Sequence, residues 1–474
     1  MDRLAIEEQG IQGFTLMQRA GARCFNEFTR AWPEASRILV CCGPGNNGGD
    51  GYIVATLALQ AGLEVHLVQM GDAERIQGDA ALARQAFIDA GGVEGAWQKS
   101  LPDADVLVDA LLGTGLQRPV EGHYLACIRA MNHHGAPILS VDIPSGIHAD
   151  TGSPLGGAVK ADIVVTFIGA KQGLYTGRSL DYRKKIVFDD LGVPNAIYRS
   201  VEPSARLLLH EPDQLLLPAR PLNAHKGLFG HVLIIGGGPG MPGAAIMAGL
   251  AALRAGAGKV TVATRPEHAV LIPVHQPELM CRAIEGQDDL LPLLEQTSCI
   301  VLGPGLGQSE WARELFQTVI GQDLPMVLDA DALNLLATTS AQGGDWVITP
   351  HPAEAARLLG VSSHDIQRDR FSRARQLHER YQAVTVLKGA GSLIASEEGL
   401  SLCSAGNPGM STAGMGDILA GLIGGLIAQK VDLVAAAEQG VCIHAHAGDM
   451  AAAEGERGMI ATDLLGFIRR GVNT

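Results

Sequence analysis

Short apolar runs recur along the first half of the chain, with helical stretches between them. "RILVCCG" leads into the helical "GYIVATLALQAG" and then into the strand-like "EVHLVQM". "ADVLVDALLGTG", "APILSVDIPSG", "ADIVVTFIGA" and "KKIVFDDLG" follow. Near-continuous apolar strands separated by helices predict a parallel sheet covered on both faces. The rhythm breaks at residues 200–221, "SVEPSARLLLHEPDQLLLPARP", where prolines and acidic residues interrupt the pattern and predict a linker or domain entry. A second α/β series then starts with "GHVLIIGGGPG" and "AGAGKVTVAT" and runs through "CIVLGPGLG", "PMVLDADALN", "DWVITPHP" and "AVTVLKGAGSLIA". From Asp417 to about Arg470 the pattern is helical. The halves share a style but not an order of motifs. Two different α/β domains are expected, over residues 1–205 and 206–474.

Composition narrows the class. The 474 residues are 47% hydrophobic and 18% charged, which predicts a globular chain too long for one core. Its 60 glycines gather at the apparent strand–helix junctions, as tight crossovers require. A net charge of −14 argues against a general nucleic-acid or anionic-membrane surface. A small anion held by backbone N–H groups stays open. The eight cysteines are scattered without a CxxC pair, so neither a zinc site nor a disulfide framework is expected, and a reduced, cytoplasmic setting is. "MDRLAIEEQG" lacks an apolar core, so no secretory leader is expected. "ILAGLIGGLIA" (418–428) is too short to span a bilayer and reads as a buried helix.

Chemistry collects at the carboxyl ends of the predicted strands, where parallel sheets bind ligands. The first such place is "GPGNNGGDG" (43–51), a Gly-rich turn between strand and helix. Its glycines allow positive φ and close backbone approach, and the helix that follows offers free N–H groups. A bare glycine cluster could be only a tight turn. Asn46, Asn47 and Asp50 are polar beyond what a turn needs and favour a ligand site. Asp109 in "DALLGTG" and Asp142 and Ser145 in "DIPSG" end neighbouring strands. Oxygen groups from Asn47, Asp109 and Ser145, with no His or Cys among them, suit a hard cation. Lys171, in "TFIGAKQGLYTG", is either a surface lysine or a cation pointing into the same crevice.

"LMQRAG", "GPGNNGGDG", "DALLGTG", "DIPSG" and "TFIGAKQGL", in that order over about residues 2–195, resemble the NAD(P)H-hydrate epimerase family. The resemblance implies a Rossmann-like three-layer domain that interconverts the R and S forms of hydrated NADH and NADPH. It implies that Asn46, Asn47, Gly48, Gly49 and Asp50 bind substrate. Gly113, Thr114, Gly115, Leu116, Gln117, Arg118, Pro119 and Asp142 would also touch it. Asn47, Asp109 and Ser145 would surround a potassium ion. Asp142 would be the acid/base, with Lys171 second.

In the second half, "GNPGMSTAGMGDILAG" (406–421) places Gly414, Met415 and Gly416 at a helix start, with Asp417 in its first turn. Successive N–H groups there can hold a transferring phosphoryl group. An aspartate beside them can accept a proton from an attacking hydroxyl, although Asp at a helix start can also be only a cap. Lys388, in "VLKGAGSLIA", supplies a cation beside a second Gly turn. Thr349, His351 and Glu354 stand at a strand–helix turn, where a lone His is more often a satisfied turn residue than a catalyst. The small residues Gly243, Ala244 and Ala245 would let a flat ligand approach, or simply pack a helix on a sheet.

"GPGLG", "DADALN", "TPHPAEAARLLG", "LKGAGS" and "AGMGD", over roughly 210–470, resemble the ribokinase-like fold and, within it, the ADP- or ATP-dependent NAD(P)H-hydrate dehydratases. The resemblance implies that Lys388, Gly389, Ala390, Gly391, Ser392 and Gly416 bind the nucleotide, which comes as ADP with Mg²⁺. Ala244, Gly305, His351 and Asp417 would face the hydrate, with Asp417 as general base. Expected partners are hydrated NADH or NADPH and ADP, with no nucleic acid or membrane, and a homo-oligomer is expected. Two rival readings are a ribokinase-like vitamin kinase with a regulatory N-terminal domain, and a nucleotide-binding protein without turnover. The first would accumulate a phosphorylated product, and the second would bind without reacting.

Overall fold

The computed structural model describes residues 1–208 and 217–473. The chain forms two compact units, Met1–Ser204 and Ala205–Thr474. Each is an α/β unit built on a largely parallel sheet.

The first unit carries seven strands. From edge to edge they are Glu94–Ala96, Glu64–Gln69, Arg37–Cys42, Val106–Ala110, Ile138–Val141, Ala161–Phe167 and Arg183–Asp189, all parallel. The five apolar runs after "RILVCCG" each supply one of these strands. Glu94–Ala96 was not legible, because a three-residue edge strand has no room for a hydrophobic pattern. The central strands are buried along their whole length, whereas Arg183–Asp189 keeps an exposed face, as an edge strand does. Helices Gly13–Ala31 and Asn46–Gln60 cover one face of the sheet, with Tyr52, Val54 and Phe28 in the core. Helix Gly122–His133 covers the other with Cys127, Ile128 and Met131.

The second unit carries ten strands. They run Met280–Ala283, Lys259–Thr264, His231–Ile235, Cys299–Leu302, Met326–Leu328, Trp346–Ile348, Val384–Leu387, Ser392–Ser396, Gly399–Cys403 and Arg206–Leu208. The first seven are parallel, and Ser392–Ser396 and Gly399–Cys403 add an antiparallel hairpin. Arg206–Leu208 lies parallel to Gly399–Cys403 at the edge. The stretch 200–221, expected as a linker or domain entry, enters the second unit with this edge strand near its start. Residues 209–216 of that stretch lie outside the described residues.

Helix Met415–Ala428 is the predicted buried helix, and all of its residues from Ile418 onward are buried. It lies directly on helix Pro242–Ala255, because a Cβ on Gly421 would stand 1.9 Å from the Ala248 carbonyl oxygen. Most of the small residues in the second helix, Ala245, Ala248, Ala251 and Ala252, serve this packing and are fully buried. Among the described residues no helix is long and apolar enough to cross a membrane.

Candidate active sites

In the first unit the Gly-rich segment is mostly helix rather than turn. The strand stops at Cys42 and the helix starts at Asn46, with Gly45 as its cap. None of the glycines from Gly43 to Gly51 has positive φ. They are there for close approach. A Cβ on Gly43 would lie 1.9 Å from the Leu111 oxygen, and one on Gly48 would lie 1.9 Å from the Gly43 oxygen. Gly49 faces Met17 and Ala80, and Gly51 faces Ala110 and Cys42. The helix is thereby pressed onto the strand ends, and its first N–H groups open beside them.

Those groups border a pocket of about 690 Å³. Asn46, Asn47, Asp50, Gly113, Thr114, Gly115, Leu116, Gln117, Arg118, Asp142 and Lys171 all line it. Gly48 and Gly49 are buried beneath it, and neither they nor Pro119 is part of its wall. Asp2 and Asp79, outside the motifs, also line it, as do Met17 of "LMQRAG" and Phe167 and Ile168 of "TFIGAKQGL", none of them expected as site residues. Met17 belongs to the amphipathic face of helix Gly13–Ala31, and its place in "LMQRAG" was the sequence signal that could have found it.

Asp142 is held by its backbone and its neighbours. It has φ of 64°, a conformation that costs a non-glycine residue free energy and that collects at functional sites. Its N–H donates to the Val165 carbonyl at 2.7 Å. Its Oδ1 accepts from Lys171 Nζ, from Thr166 Oγ1 at 3.1 Å and from the Phe167 N–H at 3.3 Å. Lys171 also donates to the Phe167 carbonyl at 2.9 Å. Lys171 is therefore no free surface lysine, since its side chain is 18% exposed and turned into the crevice. Burial, then the Asp142 and Asp2 carboxylates, push the Asp50 carboxyl well above the usual carboxylate range, with Lys171 opposing them. The pocket thus holds one carboxyl, Asp50, pushed up by burial, together with the Asp142–Lys171 ion pair.

Asp109 lies beneath, fully buried. Its oxygens accept from the hydroxyls of Ser145 at 2.5 Å and Ser140 at 2.8 Å, and from the N–H groups of Ser145 at 2.8 Å and Leu111 at 3.3 Å. Burial raises its pKa, and the hydrogen bonds from Ser145 and Ser140 pull it back. All four donors are neutral. Asn47 stands against Gly113, and its buried Nδ2 has no partner. A half-turn of that amide would present its oxygen instead. A buried carboxylate bonded only by neutral donors, and an orphaned amide against Gly113 in the same unit, fit a hard cation of low charge held by oxygens. Among the described residues no group of three or more His, Cys, Asp or Glu side chains could hold a metal ion, and such a site needs none.

In the second unit the strand ends assemble a different cluster. Asp329, 1% exposed, follows the strand Met326–Leu328. Its Oδ1 accepts from Lys388 Nζ at 2.6 Å and from Thr349 Oγ1 at 2.8 Å. Glu354 Oε2 stands 4.0 Å from the same ammonium. Burial works against the Lys388 charge, but the Asp329 and Glu354 carboxylates hold its pKa above the ordinary value. The head of Lys388 therefore sits in this acidic cluster, although its backbone belongs to the "LKGAGS" loop. In "DADALN", Asp331 Oδ2 accepts from the Gly307 N–H at 2.8 Å and so ties down the "GPGLG" turn. Asn334 braces Asp331 at 3.2 Å.

Helix Met415–Ala428 starts over this cluster. Its cap, Gly414, is left-handed at φ 92°, which suits glycine. The Ile418 N–H closes on the Gly414 carbonyl, so the N–H groups of Met415, Gly416 and Asp417 have no partner within the helix. A Cβ on Gly416 would be 3.0 Å from Lys388 Nζ. Glycine there lets the ammonium reach the helix start. Burial, then Asp329, push the Asp417 carboxyl up to about 7, against the pull of Lys388. Burial likewise lifts Glu354 to about 7.

The remaining expected residues come from distant points of the chain and are simpler in role. Gly305 has φ of 60°, and a Cβ there would be 3.1 Å from that of Ala244, so these two residues adjoin. His351 caps helix Pro352–Leu359: its Nδ1 accepts from the N–H groups of Ala353 and Glu354, while Glu354 accepts from the His351 N–H at 2.8 Å. The turn role foreseen for a lone His is present, and its half-exposed Nε2 side faces Glu354 at 3.3 Å. Gly389, Ala390, Gly391 and Ser392 form the bend between strands Val384–Leu387 and Ser392–Ser396. Asp329 and Arg370 were not foreseen as site residues, because only the fold places them beside Lys388.

Comparison with known proteins gives a consistent picture. Residues 232–470 match the NAD(P)H-hydrate dehydratase family, and residues 13–173 match the YjeF-related protein N-terminus family. The chain is 49% identical to the bifunctional NAD(P)H-hydrate repair enzyme of Coxiella burnetii, over 100% of this chain and 97% of that one. It is 44% identical to the enzyme of the same name from Escherichia coli, over 100% and 92%. The solved ADP/ATP-dependent NAD(P)H-hydrate dehydratase of Bacillus subtilis, co-crystallised with ATP and Mg²⁺, superposes with a TM-score of 0.50 at 31% identity. That match covers 54% of this chain and 94% of the solved one.

Proposed function

The chain belongs to the family of bifunctional NAD(P)H-hydrate repair enzymes, and from that premise we propose how its two sites divide the reaction. The enzyme restores NADH and NADPH from their hydrated forms. The first unit epimerises the hydrate at C6 and the second dehydrates one epimer, the S form, at the expense of ADP.

In the second unit Asp417 takes the proton from the C6 hydroxyl. Its carboxyl near 7 is half ionised at neutral pH, which suits a base that must both accept and release a proton. The hydroxyl oxygen attacks the terminal phosphoryl group of ADP, and AMP leaves. The N–H groups of Met415, Gly416 and Asp417, with Lys388 behind them, hold the phosphoryl oxygens as charge builds there. Phosphate then departs from C6, the C5 proton is lost, and the dihydronicotinamide ring is restored. Lys388, Gly389, Ala390, Gly391, Ser392 and Gly416 hold the nucleotide, and Ala244, Gly305 and His351 border the hydrate. Mg²⁺ would come with the nucleotide and neutralise its phosphates. The carboxylates of Asp329 and Glu354, which outnumber the ammonium they share, fit that ion.

In the first unit the helix start at Asn46 and Asn47 and the loop Gly113–Pro119 hold the hydrated dinucleotide. Asp142, fixed by Lys171, takes the proton of the C6 hydroxyl as the C6–N1 bond opens to an aldehyde, its electron pair going to N1, and returns the proton to the oxygen when N1 re-adds to the other face of C6. Potassium would be held by Asn47, Asp109 and Ser145 and would neutralise the buried carboxylate under the dinucleotide. We further propose a cytoplasmic homo-oligomer.

One observation carries this reading: a carboxylate raised to about 7 stands beside three open N–H groups and a lysine. The test is recovery of the reduced-nicotinamide absorbance band when protein, ADP, Mg²⁺ and a mixture of hydrate epimers are combined. Recovery with release of inorganic phosphate supports repair. A stable phosphorylated product without recovery would support a small-molecule kinase instead.

A further inference from the structure

Arg370 opens helix Arg370–Tyr381 and is only 1% exposed, the bulkiest of the fully buried side chains. Burial of a guanidinium is costly, and here it lowers the pKa to about 10. Its Nη2 donates to the carbonyls of Leu387 at 3.2 Å, Lys388 at 3.3 Å and Gly391 at 3.2 Å. Its Nη1 donates to Gln367 Oε1 at 3.3 Å. The loop Lys388–Ser392 is thus wrapped around the guanidinium with the carbonyls of Lys388 and Gly391 turned inward, while that of Gly389 accepts from Ser392 Oγ at 3.1 Å. Gly389 has φ of 141°, and a Cβ there would come 2.9 Å from Nη1. Only glycine leaves room for the guanidinium at that point.

Turning the carbonyls inward fixes where the N–H groups go. In a trans peptide the carbonyl and the next residue's N–H point in opposite directions. The Lys388 N–H obeys this and donates to the Pro350 carbonyl at 2.9 Å. The N–H that follows the Lys388 carbonyl is that of Gly389, and it faces the outer side of the loop. A hydrogen bond from a cation to a carbonyl also polarises the peptide and strengthens the N–H at its other end. A buried arginine beneath the loop therefore makes the loop's outer face a better donor.

We propose that Arg370 is the positioning residue of the nucleotide site, clamping the Lys388–Ser392 loop so that its N–H face and the charge behind it meet the nucleotide's phosphates. The inference rests on the reading that this loop binds ADP. The fork of donors on arginine is needed to reach several carbonyls at once, and the single ammonium of lysine cannot span them.

Calorimetric binding of ADP and of adenosine to the full-length protein tests it. Arg370→Met should weaken ADP at least tenfold and adenosine by less than threefold, with Arg370→Lys in between. Gly389→Ala, which displaces the guanidinium without removing it, should also weaken ADP selectively, and it serves if Arg370→Met does not fold. Ala390→Glu, a carboxylate on the exposed tip of the loop, should abolish ADP binding. If Ala390→Glu binds ADP normally, the loop is not the nucleotide site and both readings fall. If Ala390→Glu fails to bind while the Arg370 and Gly389 variants bind ADP like wild type, this inference alone falls. Equal losses for ADP and adenosine would make Arg370 a structural residue and overturn it as well.

Discussion

Asp142 directly follows the strand Ile138–Val141 and Asp417 lies in the first turn of helix Met415–Ala428, and their surroundings differ. Asp417 is desolvated and faces Asp329, so its proton is held to about pH 7. The dehydratase rate should therefore climb as pH rises through about 7, as the base ionises. Asp329→Asn removes the repulsion that raises Asp417. The acid limb of the pH–rate profile should then move to lower pH, even if the rate itself falls because Lys388 loses its partner. A limb that moves to higher pH would contradict this. The same raised pKa has a stability consequence. In the unfolded chain an aspartate titrates near about 3.9, so the folded form loses stability as pH rises from about 4 to about 7 and the loss levels off above. Asp417→Asn should accordingly stabilise the second unit by roughly 1–4 kcal/mol at pH 8 and by less at pH 5. Denaturant titrations at the two pH values measure it. The sequence singles out Asp417 through "AGMGD" but does not show its partners. Asp329 lies far away in the chain, and only neighbouring strands bring it to Lys388.

At the scale of elements, the segment "GPGNNGGDG" changed its meaning most. The glycines were expected to shape a turn, and the structure makes three of them helical. Their value lies in how close the helix Asn46–Gln60 comes to the strands, which no local pattern reports, because the atoms a Cβ would strike belong to distant residues. Gly51→Ala would put a methyl 2.5 Å from Ala110 Cβ and 2.8 Å from Cys42 Sγ. It should cost the first unit about 1–3 kcal/mol and lower epimerisation, while dehydration of pure S hydrate stays unchanged. Equal loss of both activities would mean that the two units do not fold independently. The meeting of Asp109 with Ser145 follows from strand order, since the strands that carry Asp109 and precede Ser145 are neighbours, while the place of Asn47 beside them stays a proposal. Replacing K⁺ by tetramethylammonium should slow epimerisation and leave dehydration of the S form alone. If the rates do not change, the cation reading of the cluster is wrong.

At the scale of the whole molecule, the two units do what one site could not. Hydration of the ring gives both epimers at C6. A base and phosphoryl site fixed on one face can reach only one of them, because transfer needs in-line placement. An epimerase in the same chain makes the other epimer usable. Both α/β series were legible because their strands are apolar throughout. The short edge strands Glu94–Ala96 and Arg206–Leu208 were not, because pairing rather than composition defines them. The decisive measurement follows recovery of the reduced-nicotinamide band from a mixture of R and S hydrates with ADP and Mg²⁺. Wild type should recover the whole mixture. Asp417→Ala should lower recovery of both epimers by roughly 10²–10⁴-fold in rate. Asp142→Ala should recover the S fraction at the normal rate and leave the R fraction to slow spontaneous epimerisation. Full recovery of both epimers at the normal rate by Asp142→Ala, or by Asp417→Ala, would contradict this division of labour.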